Sequence, residues 1–417
     1  MIIPSFPKKI TCLVLLLPAL LVFNSCNKTA VGSISGATIS SVQLHGYGLN
    51  PITDDEWANT NIAEFPTSLY QERPDGETIK GALPSSYLLA SPAIRDQGQT
   101  GACTGFCGTE VDEMLYYYKY ANPVSPKLTV ADGMATVMEN KFVSPTSYFG
   151  ADGALGPLFL YYVERCVIEG KPITSDPGAN MVNVGEALQG LSKNTGAGTA
   201  LTLNGVTFKG ICTEDLYPFP TTPITAASPY NLITKSSPQY QTPPSSAAIS
   251  DAFNFGIAVQ TGSTGTGGAT TTNGYYAITS TGDSTEVENC KIAIANNLPV
   301  IMGFDIYDNK ALTIFNNLTT TSYIYDPLIA KTTTTKGVTT TTYILNPALK
   351  LSGGHAVPLI GYVDDGTPST SATGGGYFIA QNSWGTPWGY HGYFYLPYSV
   401  LMNTTVISKR NLYVAIL

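Results

Sequence analysis

The feature of the sequence that most constrains its fold is a change of hydrophobic pattern near residue 250. Before it, apolar side chains recur at helical spacing over residues 103–120, and further helices are predicted at 157–169 and 184–192. After it, a short helix at 286–296 is followed by runs typical of strands. The predicted strands lie at residues 299–307, 356–363, 377–381 and 392–396. The sequence therefore predicts an α+β protein with two unlike lobes, one helical and one β-rich.

The composition fits one large domain and argues against nucleic-acid binding. The chain has 417 residues, 43% of them hydrophobic, which is enough for two lobes with cores of their own. Only 12% are charged and the net charge is −8, so no basic stripe is available for contacts with phosphates. We expect a globular domain over residues 83–417, with a helical lobe at about 96–245 and a β-rich lobe at about 246–417.

The N-terminus has the pattern of an export signal. Two lysines precede an apolar run at residues 10–23 that is short for a bilayer span, and Asn-Ser-Cys follows at 24–26. Small or polar residues directly before a cysteine resemble the cleavage box of bacterial lipoproteins, in which the cysteine is acylated. We expect residues 1–25 to be a signal peptide, Cys26 to carry lipid, and residues 26–82 to be a tether or short pro-segment. The alternative is an ordinary secretory signal with an incidental cysteine.

A lipidated Cys26 predicts a location in the bacterial cell envelope, at the outer membrane or the cell surface. No later stretch holds 18 consecutive apolar residues, so the lipid is the anchor that the sequence predicts. Of the seven cysteines, five remain after Cys26, and an odd number in an exported protein predicts at least one free thiol. The sequence leaves the pairing of Cys166, Cys212 and Cys290 open.

One cysteine stands at the start of the first long helix. It is Cys103, within the run DQGQTGACTGF at residues 96–106. A helix N-terminus offers unpaired N–H groups and a partial positive charge, which stabilise the thiolate that acts as a nucleophile. Gly98 and Gly101 allow a sharp bend of the backbone and a close approach of substrate. This pattern predicts a catalytic thiol at Cys103.

A thiolate nucleophile needs a base, and the chain has only three histidines. His45 falls in the predicted tether, and His391 falls in a turn rich in glycine and tyrosine. His355 follows a glycine pair and begins an apolar strand, which would hold its ring rigidly at the edge of a cleft. Asn382 ends a later strand, where it can accept the imidazole N–H and fix the tautomer. We therefore expect His355 to be the base and Asn382 to orient it.

Together these segments resemble the papain-like cysteine peptidases. The resemblance rests on the run around Cys103, on NSWGTPWGYHGY from Asn382, on GICTEDLYPF at 210–219 and on ENCKIAIANNLPVIMGF at 288–304. It spans roughly residues 83–417. It implies a papain-like two-lobe fold, with a helical lobe, a β-rich lobe and the active-site cleft between them.

The resemblance also implies a role for each matching residue. Cys103 matches the nucleophile, His355 the base and Asn382 the orienting residue. Gln97 matches the side-chain donor of the oxyanion hole, which the backbone N–H of Cys103 completes. The residues matched to substrate binding are Gly178, Ala179, Gly354 and the shielding Trp384. The implied activity is endopeptidase cleavage of proteins or peptides through a thioester acyl-enzyme on Cys103, with no cofactor and no metal.

The sequence departs from the family pattern around the nucleophile. The family often has a disulfide cysteine at the position of Thr100 and an aromatic residue at that of Thr104. Cys103 and His355 are 252 residues apart, a long separation to which Thr- and Gly-rich insertions contribute. The second insertion, which contains TTTTKGVTTTTY, predicts a surface hairpin.

Two other classes of function stay open. One is a cysteine acyltransferase or transglutaminase-like enzyme, which passes the acyl group to an amine in preference to water. The other is a catalytically dead surface binding protein on a peptidase scaffold, a role that the Thr-rich insertions would suit. Other polar residues receive structural assignments: Glu110 and Glu113 to a solvated helix face, and Asp364 and Asp365 to a loop turn.

Overall fold

The computed structural model describes most of the chain after residue 44. The described residues are 45–58, 60, 62–67, 83–121, 126, 128–131, 133–140, 142, 149, 153–192, 199–222, 225–226, 228–258, 274–279, 281–309, 314–408 and 410–417. Gln43–Leu417 form one compact unit. The predicted signal peptide, Cys26 and part of the predicted tether lie outside the described residues.

Helices occur in both halves of the described chain, and most of them lie before residue 253, as predicted. They are α1 (Asp54–Ala58), α2 (Cys103–Ala121), α3 (Gly133–Glu139), α4 (Pro157–Tyr162), α5 (Met181–Gln189), α6 (Ser246–Ala252), α7 (Ser284–Ala295) and α8 (Tyr398–Leu401). Helix α4 continues as a π-helix over Val163–Ile168. Asn180 caps α5 by accepting from the backbone N–H groups of Val182 and Asn183, so this helix begins three residues before the predicted position.

Strands also occur in both halves of the described chain, but those longer than three residues all lie in the second half. They are β1 (Ala63–Glu64), β2 (Ser86–Leu88), β3 (Leu191–Ser192), β4 (Thr199–Ala200), β5 (Thr202–Leu203), β6 (Val206–Thr207), β7 (Tyr275–Ala277), β8 (Val300–Asp308), β9 (Leu328–Thr335), β10 (Val338–Leu345), β11 (Lys350–Asp364), β12 (Gly376–Gln381), β13 (Tyr393–Pro397) and β14 (Leu412–Ala415). The main sheet has the order β1-β7-β14-β8-β11-β12-β13, and β2 also pairs with β11. Its described pairings are antiparallel except for β1 with β7.

The sheet takes in two strands from the N-terminal part of the chain. β1 pairs with β7, and β2 pairs with β11 through Tyr87 and Tyr362. Sequence patterning did not predict either strand, since they are only two and three residues long. The β-rich lobe is therefore completed by residues that precede the helical lobe in the chain.

Helix α2 packs between the helical lobe and the sheet. Two glycines allow its close approach to α4: a Cβ added at Gly105 would lie 2.8 Å from Tyr161 Cβ, and one at Gly108 would lie 2.6 Å from Leu160 Cδ2. The helix also contacts β11 and β8. Most of its side chains are consequently buried, including those of its first four turns.

Because α2 is enclosed in this way, the prediction that Glu110 and Glu113 form a solvated helix face is wrong. Glu110 and Glu113 are 1% and 0% exposed. Glu113 accepts hydrogen bonds from Arg95 Nη2 at 2.5 Å and from the backbone N–H of Leu155 at 2.7 Å. Burial raises the pKa of the Glu110 carboxyl to about 8. The charged positions have the spacing of a polar face, but both lie near the half-buried Arg95, and Glu113 also accepts from a backbone N–H group.

The second Thr-rich insertion forms the hairpin that was predicted. Strands β9 and β10 pair in register from Leu328 with Leu345 to Thr335 with Val338. Lys336 and Gly337 make the two-residue turn with φ of 51° and 79°, the left-handed values that such a turn requires. Most of its side chains are exposed.

Two further findings concern the cysteines and the membrane. Cys103, Cys107, Cys166, Cys212 and Cys290 are all free thiols. Within the described residues, no helix combines the length and apolar character needed to cross a bilayer.

Candidate active site

Cys103 is the first residue of α2, and its side chain is fully buried. The backbone amides of Ala356 and Gly48 lie within hydrogen-bonding reach of its sulfur. Ala356 follows His355 in β11, so the helix start and this strand bring the predicted nucleophile beside the predicted base. The two residues come from different lobes, as the resemblance implies.

His355 is held by Asn382. Its Nε2 lies 2.7 Å from Asn382 Oδ1, which also accepts from the backbone N–H of Ser383 at 2.9 Å. Because an amide oxygen can only accept, the proton of the neutral imidazole belongs on Nε2. That tautomer leaves Nδ1 free to act as a base, and Nδ1 has no hydrogen-bond partner among the described residues.

Aromatic rings enclose the histidine. The indole of Trp384 lies 4.9 Å from the His355 ring between centroids, and Phe304 and Phe315 lie at 5.8 and 6.0 Å. Trp384 and Asn382 are both 0% exposed, so water is excluded from the imidazole–amide hydrogen bond. This hydrogen bond is stronger in such an environment than it would be in water.

Burial sets the charge state of the pair in this form. It raises the pKa of the Cys103 thiol to about 12, although backbone hydrogen bonds from Ala356, Gly48 and Thr104 favour the thiolate. It lowers the pKa of His355 to about 4, although the hydrogen bond with Asn382 favours the charged ring. The helix start alone predicted a thiolate at Cys103. In the described form desolvation outweighs that effect, and both groups are neutral near pH 7.

Gln97 precedes Cys103 by six residues and is fully buried. Its Oε1 accepts from Ser383 Oγ at 2.6 Å, and this fixes the orientation of the amide. Its Nε2 donates to the backbone oxygens of Thr100 at 2.8 Å and Gly46 at 3.2 Å. The predicted oxyanion donor therefore points at a peptide carbonyl in the cleft.

That carbonyl belongs to a segment of the chain itself, residues 45–50, which we call the cleft segment. Its backbone pairs with both walls: the N–H of Leu49 donates to Gly354 O at 3.1 Å, and the N–H of Asn50 donates to Ala179 O at 2.8 Å. In return Ala179 N–H donates to the oxygen of Gly48 at 2.8 Å. The predicted substrate-binding residues thus hold an extended peptide.

Glycines make this close fit sterically feasible. A Cβ added at Gly48 would lie 1.8 Å from Gly101 O, and one at Gly46 would lie 2.1 Å from Thr100 O. On the wall, Gly178 has φ of +72°, and an added Cβ there would lie 2.1 Å from Gly48 O. Each of these contacts is with backbone, which has little freedom to move aside.

His45 is the site residue that sequence reasoning missed, because it was assigned to the tether. Its ring is 5% exposed and stacks on Trp384, with centroids 4.5 Å apart and planes 6° from parallel. Burial, and then the charge of His355, lower the pKa of His45 to about 3, so it is neutral here. The alternating glycines of HGYGLN were the available signal, since they fit a strand in close backbone contact.

Leu49, the residue after Gly48 in the cleft segment, packs against β8 at Gly303. A Cβ added at Gly303 would lie 2.8 Å from Leu49 Cδ2 and 3.2 Å from Met181 Cε, so these groups surround one another. Leu49 is only 8% exposed.

Comparisons with known proteins identify the family of the chain. The model of the papain family of cysteine proteases matches residues 202–414, just over half of the chain, and the chain belongs to that family. The predicted fold class is confirmed, and the protein is a cysteine-type peptidase. No curated protein matches the chain.

Solved structures of cysteine proteases are similar to this chain at low identity. Xylellain, a cysteine protease from Xylella fastidiosa, is 20% identical with a TM-score of 0.52, and the match covers 89% of this chain and 96% of that one. Procathepsin L 3 from the larval midgut of Tenebrio molitor is 17% identical with a TM-score of 0.43, covering 90% and 83% respectively. The xylellain match supports the fold.

Proposed function

We propose that the protein is an endopeptidase that works through a thioester acyl-enzyme on Cys103. The observation that carries this proposal is the cleft segment. It lies extended past the thiol, from His45 on Trp384 at one side to Asn50 on Ala179 at the other. A cleft that admits a chain on both sides of the nucleophile suits cleavage within a polypeptide, whereas removal of terminal residues requires a closed end.

The proposed mechanism uses the thiol and the backbone N–H of Cys103, the imidazole of His355 and the side-chain amide of Gln97. His355 Nδ1 takes the thiol proton as Cys103 Sγ bonds to the peptide carbonyl carbon. Gln97 Nε2 and the Cys103 N–H stabilise the negative charge that forms on the oxygen. The C–N bond then breaks, and His355 gives its proton to the leaving amine. Water, deprotonated by His355, hydrolyses the thioester, and the thiol is restored.

An assay with competing amines tests this function against the acyltransferase alternative. We expect a fluorogenic peptide to be hydrolysed to a carboxylate product even when a primary amine is present at millimolar concentration, because water is in large molar excess and a hydrolase has no binding site for the amine. Mass spectrometry of the products makes the measurement. A predominant amide product would identify an acyltransferase, and no turnover of any peptide after residues 45–50 have been released from the cleft would favour the binding protein.

We also propose that the described form is latent. The cleft segment occupies the groove that a substrate needs, and its Gly46 carbonyl faces the predicted oxyanion donor of Gln97 at 3.2 Å. It also buries Cys103, whose thiol is neutral in this environment. A substrate can bind only after residues 45–50 leave the cleft.

For location, we propose export and lipid anchoring through Cys26. The support is the two lysines, the apolar run and the small residues before this cysteine. Replacement of Cys26 by serine should move the protein from the membrane fraction to the soluble fraction, because the acyl chains would be lost. Cys12→Ser, inside the apolar run, is the matched control and should fractionate as the wild type does. A Cys26→Ser protein that stays with membranes contradicts the proposal.

A further inference from the structure

The carboxylate of Asp176 links two loops that line the cleft. One runs from Gln97 to Cys103, and the other leads from Asp176 to the wall residues Gly178 and Ala179. Asp176 Oδ1 and Oδ2 accept from the backbone N–H of Gly101 at 3.0 and 2.9 Å. Oδ1 also accepts from the hydroxyl of Tyr161 at 2.6 Å and from that of Tyr240 at 3.0 Å. Three donors from three separate segments therefore converge on one side chain.

The loops of Gly101 and Asp176, together with Tyr161, all contact the active site or its peptide-binding wall. Gly101 lies between Gln97 and Cys103, so its position affects both the oxyanion donor and the nucleophile. Asp176 itself precedes the wall residues Gly178 and Ala179. The hydroxyl of Tyr161 closes the link, since it donates to Asp176 and accepts from the backbone N–H of Gly178 at 3.0 Å.

A buried arginine supports the carboxylate from behind. The guanidinium of Arg165 lies 4.1 Å from the centre of the Tyr240 ring and 5.3 Å from that of Tyr161. Its Nη1 donates to the backbone oxygens of Ile173 at 2.7 Å and Ser175 at 3.2 Å, on the loop that carries Asp176. Arg165, Tyr161 and Tyr240 are all 0% exposed. The two tyrosine rings thus lie between a buried cation and the carboxylate.

We propose that Asp176 is a positioning residue for catalysis, which holds the Gln97–Cys103 loop in register with the peptide-binding wall. No disulfide does so, because all five described cysteines are free. The proposal rests on the proposed peptidase function. Asp176 contacts no reacting atom. It acts through Gly101, which it keeps where the amide of Gln97 meets the carbonyl of a bound peptide.

The first test is Asp176→Asn in the full chain, with kcat calculated per mole of folded protein and compared with the wild type under the same conditions. Asparagine keeps the shape of the side chain, but its amide N–H group cannot accept a hydrogen bond. At least one of the hydrogen bonds to residue 176 is therefore lost. We expect kcat to fall about tenfold to a hundredfold, as small displacements of catalytic groups do, with KM changed less than about threefold. Asp251→Asn is the matched control. Asp251 accepts from the N–H and hydroxyl of Thr213, away from the cleft, and its loss should leave kcat unchanged.

A double-mutant cycle with Gln97→Ala separates positioning from general loss of structure. Gln97→Ala alone should lower kcat by roughly a hundredfold. If Asp176 acts through the oxyanion donor, the double variant should have a kcat within about twofold of Gln97→Ala alone. Tyr161→Phe, which removes one hydroxyl, should repeat the kcat effect of Asp176→Asn at smaller size and keeps the test open if that variant fails to fold.

The outcomes separate this inference from the function on which it rests. Wild-type kcat in Asp176→Asn and Tyr161→Phe, effects that multiply in full with that of Gln97→Ala, or an equal loss in Asp251→Asn would each overturn the positioning role. Absence of turnover even after release of the cleft segment, as in Gly48→Val, would instead overturn the peptidase function.

Discussion

Replacement of Cys103 by alanine should abolish peptide hydrolysis, lowering kcat by at least about 10,000-fold. The thiol is the atom that forms the proposed acyl-enzyme, and no neighbouring side chain can replace it at the start of α2. The side chain is small and fully buried, so its truncation should leave the fold intact. Turnover of a fluorogenic peptide and thermal unfolding of the full chain measure the two effects.

Cys107→Ala is the matched control for this variant. Cys107 lies one turn further along α2, is 1% exposed, and has a pKa raised well above its usual value by burial. It contributes packing only, so its replacement should leave kcat near the wild-type value. His355→Ala should lose nearly as much activity as Cys103→Ala, because the thiol then has no base. Substantial turnover by Cys103→Ala, or an equal loss in Cys107→Ala, would exclude Cys103 as the nucleophile.

The parts of the fold that depend on local pattern could be predicted from the sequence. Helix α2 could be predicted because its apolar residues recur at helical spacing, and that periodicity is a local property of the sequence. The hairpin of β9 and β10 follows from β-branched threonines around Lys336-Gly337. Strand β11 starts earlier than predicted, at Lys350, because its polar first residues pair with the end of β8 instead of packing in the core.

The parts that depend on tertiary contact could not be predicted. Glu110 and Glu113 have the spacing of an exposed face, and only the packing of α2 against both lobes turns them inward. His45 lies among residues without clear periodicity, so its assignment to the tether was reasonable locally. Its stacking on Trp384, 339 residues later, depends on the closed fold of the whole chain.

The candidate site divides in the same way. Cys103, His355, Asn382 and Gln97 could be selected because their chemistry and flanking motifs are local. The role of Asp176 could not, because a single aspartate has no motif, and its three donors come from distant segments. Long-range polar links of this kind are visible only once the chain is folded.

Replacement of Gly48 by valine should activate the untreated full chain. The new Cβ would lie 1.8 Å from Gly101 O, a backbone atom two residues before the nucleophile, so the cleft segment cannot stay in place. Overpacking of this kind costs about 1–3 kcal/mol. Since each 1.4 kcal/mol is a factor of about ten in an equilibrium, initial peptide turnover should rise roughly tenfold to a hundredfold.

Labelling of Cys103 gives a second measurement that does not depend on turnover. In the occupied cleft burial raises the pKa of this thiol to about 12, so iodoacetamide at neutral pH should modify it slowly. Release of the segment exposes the sulfur to water and lowers its pKa, and labelling should then be faster in the Gly48→Val protein. Cys212 and Cys290 are buried away from the cleft and should label equally slowly in both proteins.

Two further variants decide whether release of the segment is the cause. Gly46→Val tests the same segment at a second backbone contact, because its Cβ would lie 2.1 Å from Thr100 O. This variant should activate the chain as well. Ala58→Val adds similar bulk at an exposed position of α1, in the same N-terminal stretch, and should leave the chain latent. If both glycine variants fold normally but show wild-type turnover and wild-type labelling of Cys103, residues 45–50 do not control access to the thiol. Activation by Ala58→Val to the same extent would mean that general loosening, and not the backbone contact of Gly48, opens the cleft.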